Sequence, residues 1–214
     1  MANPIIWTNV QVATQSAIAA ADTISGITKA SPGVVTTGAA HGWANGDYVY
    51  YNVEGMYQLD ERIVRAANIA ATTAELEGLD TTLFGTFASG TGQVITFGNA
   101  VTTAVNVTSS GGEAEFADVT TIHDATRKQI PTLFSALTLT FDMIFDPADA
   151  TLLALKAASD LKATRAIKIT WSTGAVMVVT GYIGASLTPT GSAGELVKTS
   201  VVFTAFGRPT YYAS

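Results

Sequence analysis

Between residues 137 and 145, apolar and polar side chains alternate with a period of two. This period is typical of a β-strand whose two faces meet different surroundings. The apolar side consists of Leu137, Leu139, Phe141, Met143 and Phe145, and the other side of Thr138, Thr140 and Asp142. The sequence therefore predicts one strand with a buried face and a polar face.

The pattern changes at Asp146, where helical spacing replaces alternation. Asp146 can cap a helix N-terminus, Pro147 suits the first turn, and Asp149 places a negative charge where the helix dipole favours it. The apolar residues that follow at helical spacing are Leu152, Leu153 and Leu155. These residues predict one short amphipathic helix over about 147–158, with Asp146 and Asp149 forming its cap.

Residues 24–97 contain five short β-like segments separated by turns rich in Gly, Pro and Asn. The segments are 34–37, 48–52, 63–67, 73–77 and 93–97. Five strands this short, at this spacing, predict a small barrel or sandwich. We therefore expect a separate module at 24–97, with residues 1–23 and 98–214 forming the main domain.

The main domain is also predicted to be mostly β. Strands are expected at 7–13, 98–107 and 200–205, and a hairpin at 167–187 around a turn at 172–174. A glycine-rich loop at 188–195 precedes the last strand, and residues 210–214 are expected to form a short tail. The fold class that follows is mainly β, with one flanking helix.

The segment 108–132 lacks alternation and is rich in Gly, Ser and charge. A loop of about 25 residues inside a compact domain is usually functional or disordered. Phe116 and Ile122 lie among charges of both signs, as in a segment that orders against a neighbour. The candidate contact residues are Glu113, Glu115, Phe116, Asp118, Ile122, His123, Asp124, Arg127 and Lys128.

The chain carries few charges for its length: 13% of its 214 residues are charged, and its net charge is −6. A net negative charge argues against binding nucleic acid by neutralising phosphates. A weakly charged surface suits a subunit that buries surface in an assembly. The acidity is concentrated in residues 24–97, with seven acids and three bases, whereas residues 98–214 hold nine acids and eight bases.

No segment predicts export, disulfides or membrane insertion. The chain has no Cys, which excludes disulfides and thiolate metal sites. No Lys or Arg precedes Lys29, so the basic start of a signal peptide is missing. The apolar run 175–185 is too short to span a bilayer, which takes roughly 20 helical residues. We expect a soluble intracellular product without membrane insertion.

No arrangement of residues predicts catalysis, and we expect no enzyme activity, cofactor or metal. His41 has no second His nearby, and a metal site needs several convergent ligands. His123 and Asp124 resemble part of a triad, but no Ser stands in a G-x-S-x-G elbow. The glycine-rich segments lack the Lys-Ser/Thr ending of a phosphate loop. The carboxylates at 142, 146 and 149 have structural explanations in the strand and the cap.

The order of elements resembles the major tail tube protein of long, flexible-tailed, siphovirus-type bacteriophages. The resemblance rests on LTLTFDMIFDPADA at 137–150, KITWSTGAVMVVTGYI at 168–183 and FTAFGRP at 203–209. The DPAD element is the most specific of these motifs. Residues 98–209, with a first strand near 5–13, carry the resemblance.

This resemblance implies a tube-forming β-sandwich with one flanking helix, in a virion tail assembled in the host cytoplasm. Subunits would form hexameric rings that stack into a tube and conduct the genome during ejection. The loop 108–132 would contact the next ring, and Thr138, Thr140 and Asp142 would face the lumen. The implied partners are further copies, the tape measure, terminator and baseplate proteins, and DNA that passes without specific binding.

The module 24–97 resembles a different family, the first catalytic-cysteine half-domain of ubiquitin-activating enzymes. His41-Gly42, Gly46-Asp47 and Val49 carry this likeness, which implies no ubiquitin chemistry because the chain lacks Cys. Similar modules are inserted in phage tail proteins, so we expect 24–97 outside the tube, available for contact with the host surface.

Two other functions fit the same sequence. A terminator or baseplate adaptor of the same fold would form a single ring. A carbohydrate-binding or adhesion module would use aromatic residues of 24–97, namely Trp43, Tyr48, Tyr50 and Tyr51.

Overall fold

The structure is a computed structural model that describes residues 7–213. Within them the chain forms fifteen strands and one helix, which confirms a mainly β fold. The elements are β1 Gln11–Ile18, β2 Asp22–Ile27, β3 Val34–Thr37, β4 Tyr48–Glu54, β5 Arg62–Ala67, β6 Thr73–Leu76, β7 Ser89–Val101, β8 Ala104–Ser110, β9 Ala114–Asp118, β10 Gln129–Phe134, β11 Thr138–Ile144, α1 Ala150–Asp160, β12 Thr164–Thr170, β13 Val176–Ala185, β14 Lys198–Ala205 and β15 Thr210–Tyr212.

The chain divides into two compact units, each described here by itself. The barrel unit comprises residues up to Thr102, Ala163–Gly181 and the residues from Gly207. The hairpin unit comprises Thr103–Lys162 and Tyr182–Phe206.

The barrel unit is built around a closed six-stranded antiparallel barrel. Its strands follow the order β2-β3-β6-β5-β4-β7, and β7 pairs again with β2 to close the ring. A small barrel at this place is what the turn-rich sequence predicts. Side chains of the strands and of the segments that connect them fill the interior, among them Val35, Trp43, Val49, Tyr51, Met56, Leu59, Val64 and Leu76. The boundaries expected at 23/24 and 97/98 fall inside β2 and β7.

A second layer of strands lies against the barrel. β1 pairs antiparallel with β7 and β12, β12 neighbours β13, and β13 pairs with β15. A second core lies between the layer and the barrel, and it contains Ile63, Ile95, Ala166, Val176, Val178 and Tyr212. The predicted hairpin at 167–187 is confirmed, with a turn closed by Gly174 N–H donating to the Trp171 carbonyl.

In the hairpin unit, β11 lies between β8 and β14 in an antiparallel sheet. β9 and β10 form a separate two-stranded sheet. The helix begins at Ala150, about three residues later than expected. Asp149 is the N-cap and accepts a bond from the Thr151 amide, whereas Asp146 closes the preceding turn by accepting from the Ala148 amide. The expected cap at Asp146 is therefore wrong.

Three expected elements differ from the structure. The strand expected at 98–107 is divided between β7, which ends at Val101, and β8, which begins at Ala104. The first strand begins at Gln11 because Asn9 has a positive φ of 56°, and residues 5 and 6 lie outside the described part of the chain. The tail expected at 210–214 contains β15, which pairs with β13 through residues Thr210 to Tyr212.

Candidate functional site

The polar side chains of β11 lie in rows that continue across both neighbouring strands. The register fixes each row, because residues directly opposite on antiparallel strands share a face. The three rows are Ser110–Thr138–Thr204, Thr108–Thr140–Val202 and Asn106–Asp142–Ser200. We call these nine residues the hydroxyl face.

The hydroxyl face carries six hydroxyl groups and one charge. Its single carboxylate, Asp142, accepts a hydrogen bond from the Asn106 side-chain amide at 3.2 Å. Val202 is its one apolar member and is 36% exposed. No Lys or Arg lies in the three rows, and the next residue of β14 on this side is Lys198, opposite Ile144. The nine residues can exchange hydrogen bonds with a phosphate but cannot neutralise one.

The opposite side of the same strands is buried. Leu139, Phe141 and Met143 of β11 and Val201 and Phe203 of β14 are almost completely excluded from solvent. The helix contributes three more buried residues, namely Leu152, Leu155 and Ala158. The predicted division of β11 into an apolar and a polar side is confirmed, and it turns the hydroxyl face away from the core.

About half of the segment expected to be a loop at 108–132 is strand. Residues 108–110 complete β8, and 114–134 form a β-hairpin whose strands pair Gln129 with Asp118 and Pro131 with Phe116. The loop prediction is wrong because side chains on both faces of this hairpin are exposed or half-buried. Without a buried face, selection for apolar–polar alternation is absent.

Large apolar side chains are exposed along the whole hairpin. Ile122 at the tip is 96% exposed, Leu133 is 73% exposed, and Phe116 is 59% exposed. The other exposed apolar residues of the hairpin are Val119, Ile130 and Phe134. Contiguous exposed apolar side chains mark interaction surfaces in soluble proteins.

A polar network shapes the hairpin tip. Asp124 forms an ion pair with Lys128 and accepts hydrogen bonds from the Thr121 amide and hydroxyl, each at 3.0 Å. Asp118 accepts from the Thr120 amide at 2.8 Å. Lys128 and Thr121 hold the pKa of Asp124 below its usual value, and Thr120 does the same for Asp118. The tip therefore presents Ile122 from a defined turn.

The remaining charged residues predicted for this segment stay at the surface. Glu113 and Ser135 bond each other through their backbones, with Ser135 N–H donating at 2.9 Å. Glu115 and Arg127 are exposed. The His123 amide donates to the Thr121 hydroxyl at 3.4 Å, and its ring joins no described constellation of nucleophile and base.

The aromatic residues proposed for sugar binding are occupied by packing. Trp43 and Tyr51 are interior residues of the barrel, 5% and 0% exposed. Tyr48 and Tyr50 pack against the second core. His41 accepts from the Trp43 amide through Nδ1, and within residues 7–213 no group of three His, Asp or Glu could hold a metal ion. The four aromatic residues therefore offer no open platform for a sugar ring.

Sequence reasoning missed one cluster, which joins β15 to the barrel. The Tyr212 hydroxyl accepts from the Arg65 amide at 2.6 Å, and the Arg65 guanidinium lies 4.4 Å from the centre of the Tyr212 ring. Arg62 Nε donates to the Thr210 hydroxyl at 2.9 Å. The signal in the sequence was the alternation of buried and exposed positions over Thr210–Tyr212. Three residues are too few to distinguish a strand from an irregular tail.

Comparison with known families decides the class of this protein. The family model for phage tail tube proteins matches residues 54–214, about three quarters of the chain. The chain belongs to the phage tail tube protein family. The match begins at the end of β4 and includes the whole hairpin unit, so the hydroxyl face and the hairpin belong to the matched part.

Membership defines the protein's general role. This tail tube protein is a structural component of a phage tail and of the virion, and its family is one of structural rather than catalytic proteins. No protein of curated function matches the chain. Among residues 7–213, no helix is long and apolar enough to cross a membrane.

Proposed function

We propose that this tail tube protein forms hexameric rings that stack into a tube, and that the tube conducts the genome during ejection. The observation that carries the proposal is the exposed hairpin at 114–134. Among residues 7–213, its two strands pair with each other and with no strand of the larger sheet. An isolated two-stranded hairpin is marginally stable in water and gains stability when a further surface covers it.

A second copy of the chain is the partner that fits the hairpin. Thirteen of the eighteen large apolar residues exposed in the described part of the chain lie in the hairpin unit. A contact between the hairpin of one subunit and a different surface of the next is heterologous, and such contacts repeat along a stack. The candidate inter-ring residues remain those of 113–128, to which Ile130, Leu133 and Phe134 are added.

The hydroxyl face is the proposed lining of the lumen, with Thr138, Thr140 and Asp142 at its centre. DNA that passes through a tube needs a polar, hydrated wall that does not bind its phosphates tightly. Lys and Arg bind phosphates with release of counterions, and the nine positions contain neither. The proposed surface therefore tolerates DNA of any sequence.

The proposed position of the module 24–97 is the outer side of the tube, where it is available to the host surface. Its excess of acids over bases suits a solvent-facing decoration. The proposed tail partners are the tape measure, terminator and baseplate proteins.

Electron microscopy of the purified protein at increasing concentration tests the proposal. Stacked rings or tubes with six-fold symmetry are expected. A single ring that never stacks would identify a terminator or baseplate adaptor instead, and a chain that stays monomeric even with a tail initiation complex would refute assembly.

Hairpin variants test the inter-ring contact. Replacing Phe116 and Leu133 by Ser should lower the yield of tubes at least tenfold while leaving the fold intact, since both side chains are exposed. Replacing Tyr57 and Leu83 by Ser is the matched control, because these side chains are at least as exposed and lie in the barrel unit. Equal tube yields from the two variants would show that the hairpin does not join the rings.

A further inference from the structure

The last described strand of the chain contacts two parts of the barrel unit at once. Its backbone pairs with β13, where Thr210 lies opposite Val178 and Tyr212 opposite Val176. Its alternate side chains reach β5 of the barrel. Thr210 and Tyr212 are buried, at 5% and 7% exposed, whereas Tyr211 between them is 63% exposed.

The contacts of Tyr212 with β5 are both polar and apolar. Its hydroxyl accepts from the Arg65 amide, and the Arg65 guanidinium covers its ring. The same guanidinium forms an ion pair with Glu77, just past β6, so one arginine connects the barrel with β15. The Tyr48 ring of β4 meets Tyr212 edge to face at 6.3 Å between centroids.

Two further contacts lie beside β15. Glu61 lies directly before β5, and its carbonyl accepts a hydrogen bond from the hydroxyl of Thr180, on β13, at 2.8 Å. Gly207 lies against the same carbonyl, where a β-carbon would collide. The chain therefore approaches β5 at Gly207 and at the two buried residues of β15.

We infer that residues 207–212 are a strap that fixes the six-stranded barrel to the layer of β1, β12 and β13. Backbone bonds tie the strap to β13, and the Thr210 and Tyr212 side chains tie it to β5. The barrel is consequently held in one orientation on this layer and is not a freely moving appendage. Opening the strap removes the polar contacts of β5 with β15 and exposes one side of the second core.

Hydrogen exchange on the unassembled chain tests the strap residue by residue. In Tyr212→Phe, the Arg65 amide loses its acceptor and should exchange about fivefold faster, the effect of one lost hydrogen bond. In Tyr212→Ala, amides of β4 and β5 should exchange at least tenfold faster. Tyr211→Ala is the matched control and should exchange like the unaltered protein, because Tyr211 is exposed.

Two results would overturn the inference. Equal hydrogen-exchange rates in Tyr212→Ala and Tyr211→Ala would show that the buried Tyr212 does not hold the barrel on the layer of β1, β12 and β13. Faster exchange confined to β15 itself, with β4 and β5 unchanged, would show that the barrel does not depend on the strap. Tyr212→Phe keeps the ring and decides the matter if Tyr212→Ala fails to fold. The measurement is independent of ring formation.

Discussion

Gly207 lies so close to the carbonyl oxygen of Glu61 that no other residue fits at its position. A β-carbon there would collide with that oxygen and with the Thr180 hydroxyl. The first prediction is that Gly207→Ala lowers the free energy of unfolding by about 2 kcal/mol, as overpacking does. Gly26→Ala is the control, since a β-carbon at Gly26 meets nothing within 4 Å. Urea unfolding midpoints measure both, and equal midpoints would contradict the steric argument.

The helix cap gives a second prediction. Asp149→Ala should lower the free energy of unfolding by about 1 kcal/mol, because the Thr151 amide loses its acceptor at the helix N-terminus. Asp146→Ala should cost less, since Asp146 bonds only a turn amide. Thermal unfolding followed by circular dichroism compares them. A larger effect of Asp146→Ala would show that Asp146, as expected from the sequence, is the capping residue.

The hairpin tip should loosen in acid. Lys128 and Thr121 lower the pKa of Asp124, so the folded tip binds fewer protons than the unfolded chain. Its stabilisation is therefore present above the ordinary Asp pKa of about 4 and is lost as pH falls through the lower folded value. The Thr121 amide shift in an NMR titration should move in this range. Asp124→Asn should abolish that movement, and its persistence in the variant would assign it to another carboxylate.

The buried tyrosine should make the protein sensitive to alkali. Burial raises the pKa of Tyr212 to about 12, above its ordinary value of 10. The folded state therefore keeps a proton that the unfolded state loses, and stability should fall as pH rises from about 10 to 12. Denaturant midpoints measured across this range should fall less steeply for Tyr212→Phe. Burial also raises the pKa of Tyr51, so part of the slope should remain.

The absence of Cys allows single thiols to be placed at will. If the hydroxyl face lines the lumen, gold clusters attached to Thr140→Cys before assembly should appear as a line along the tube axis in electron micrographs. Clusters on Leu83→Cys, which is 92% exposed in the barrel unit, should decorate the outer edge. An outer position for the Thr140 label would refute the proposed lumen.

The alternation of apolar and polar residues was sufficient to predict a strand where one of its faces is buried. Leu139, Phe141 and Met143 are excluded from solvent, whereas the polar residues Thr138, Thr140 and Asp142 are half-buried, so β11 could be predicted from its sequence. The turn residues likewise indicated the small barrel. These signals are local, and they persist because burial of one face constrains every second residue.

Prediction failed where the deciding contact is distant or where both faces are exposed. The hairpin at 114–134 has no buried face to impose a period on the sequence. Asp is favoured at a helix N-terminus, so the sequence allows either Asp146 or Asp149 as the cap. The helix begins after Asp149 because a separate turn at Asp146 precedes it. The bond from Arg65 to Tyr212 joins residues 147 positions apart, and no local pattern encodes it.

The two tyrosines of β15 are chemically equal, so their shared identity cannot set the register of this strand. A slip of one residue would bring Tyr211 into the buried place of Tyr212, because a strand exchanges its faces with each step. The same slip would replace Thr210 by Pro209 beside Arg62, and proline has no hydroxyl to accept from Nε. Arg62 is half-buried and burial lowers its pKa, so the loss of an acceptor there has a cost. The Thr210 hydroxyl therefore favours the register in which Tyr212, and not its identical neighbour, faces the core.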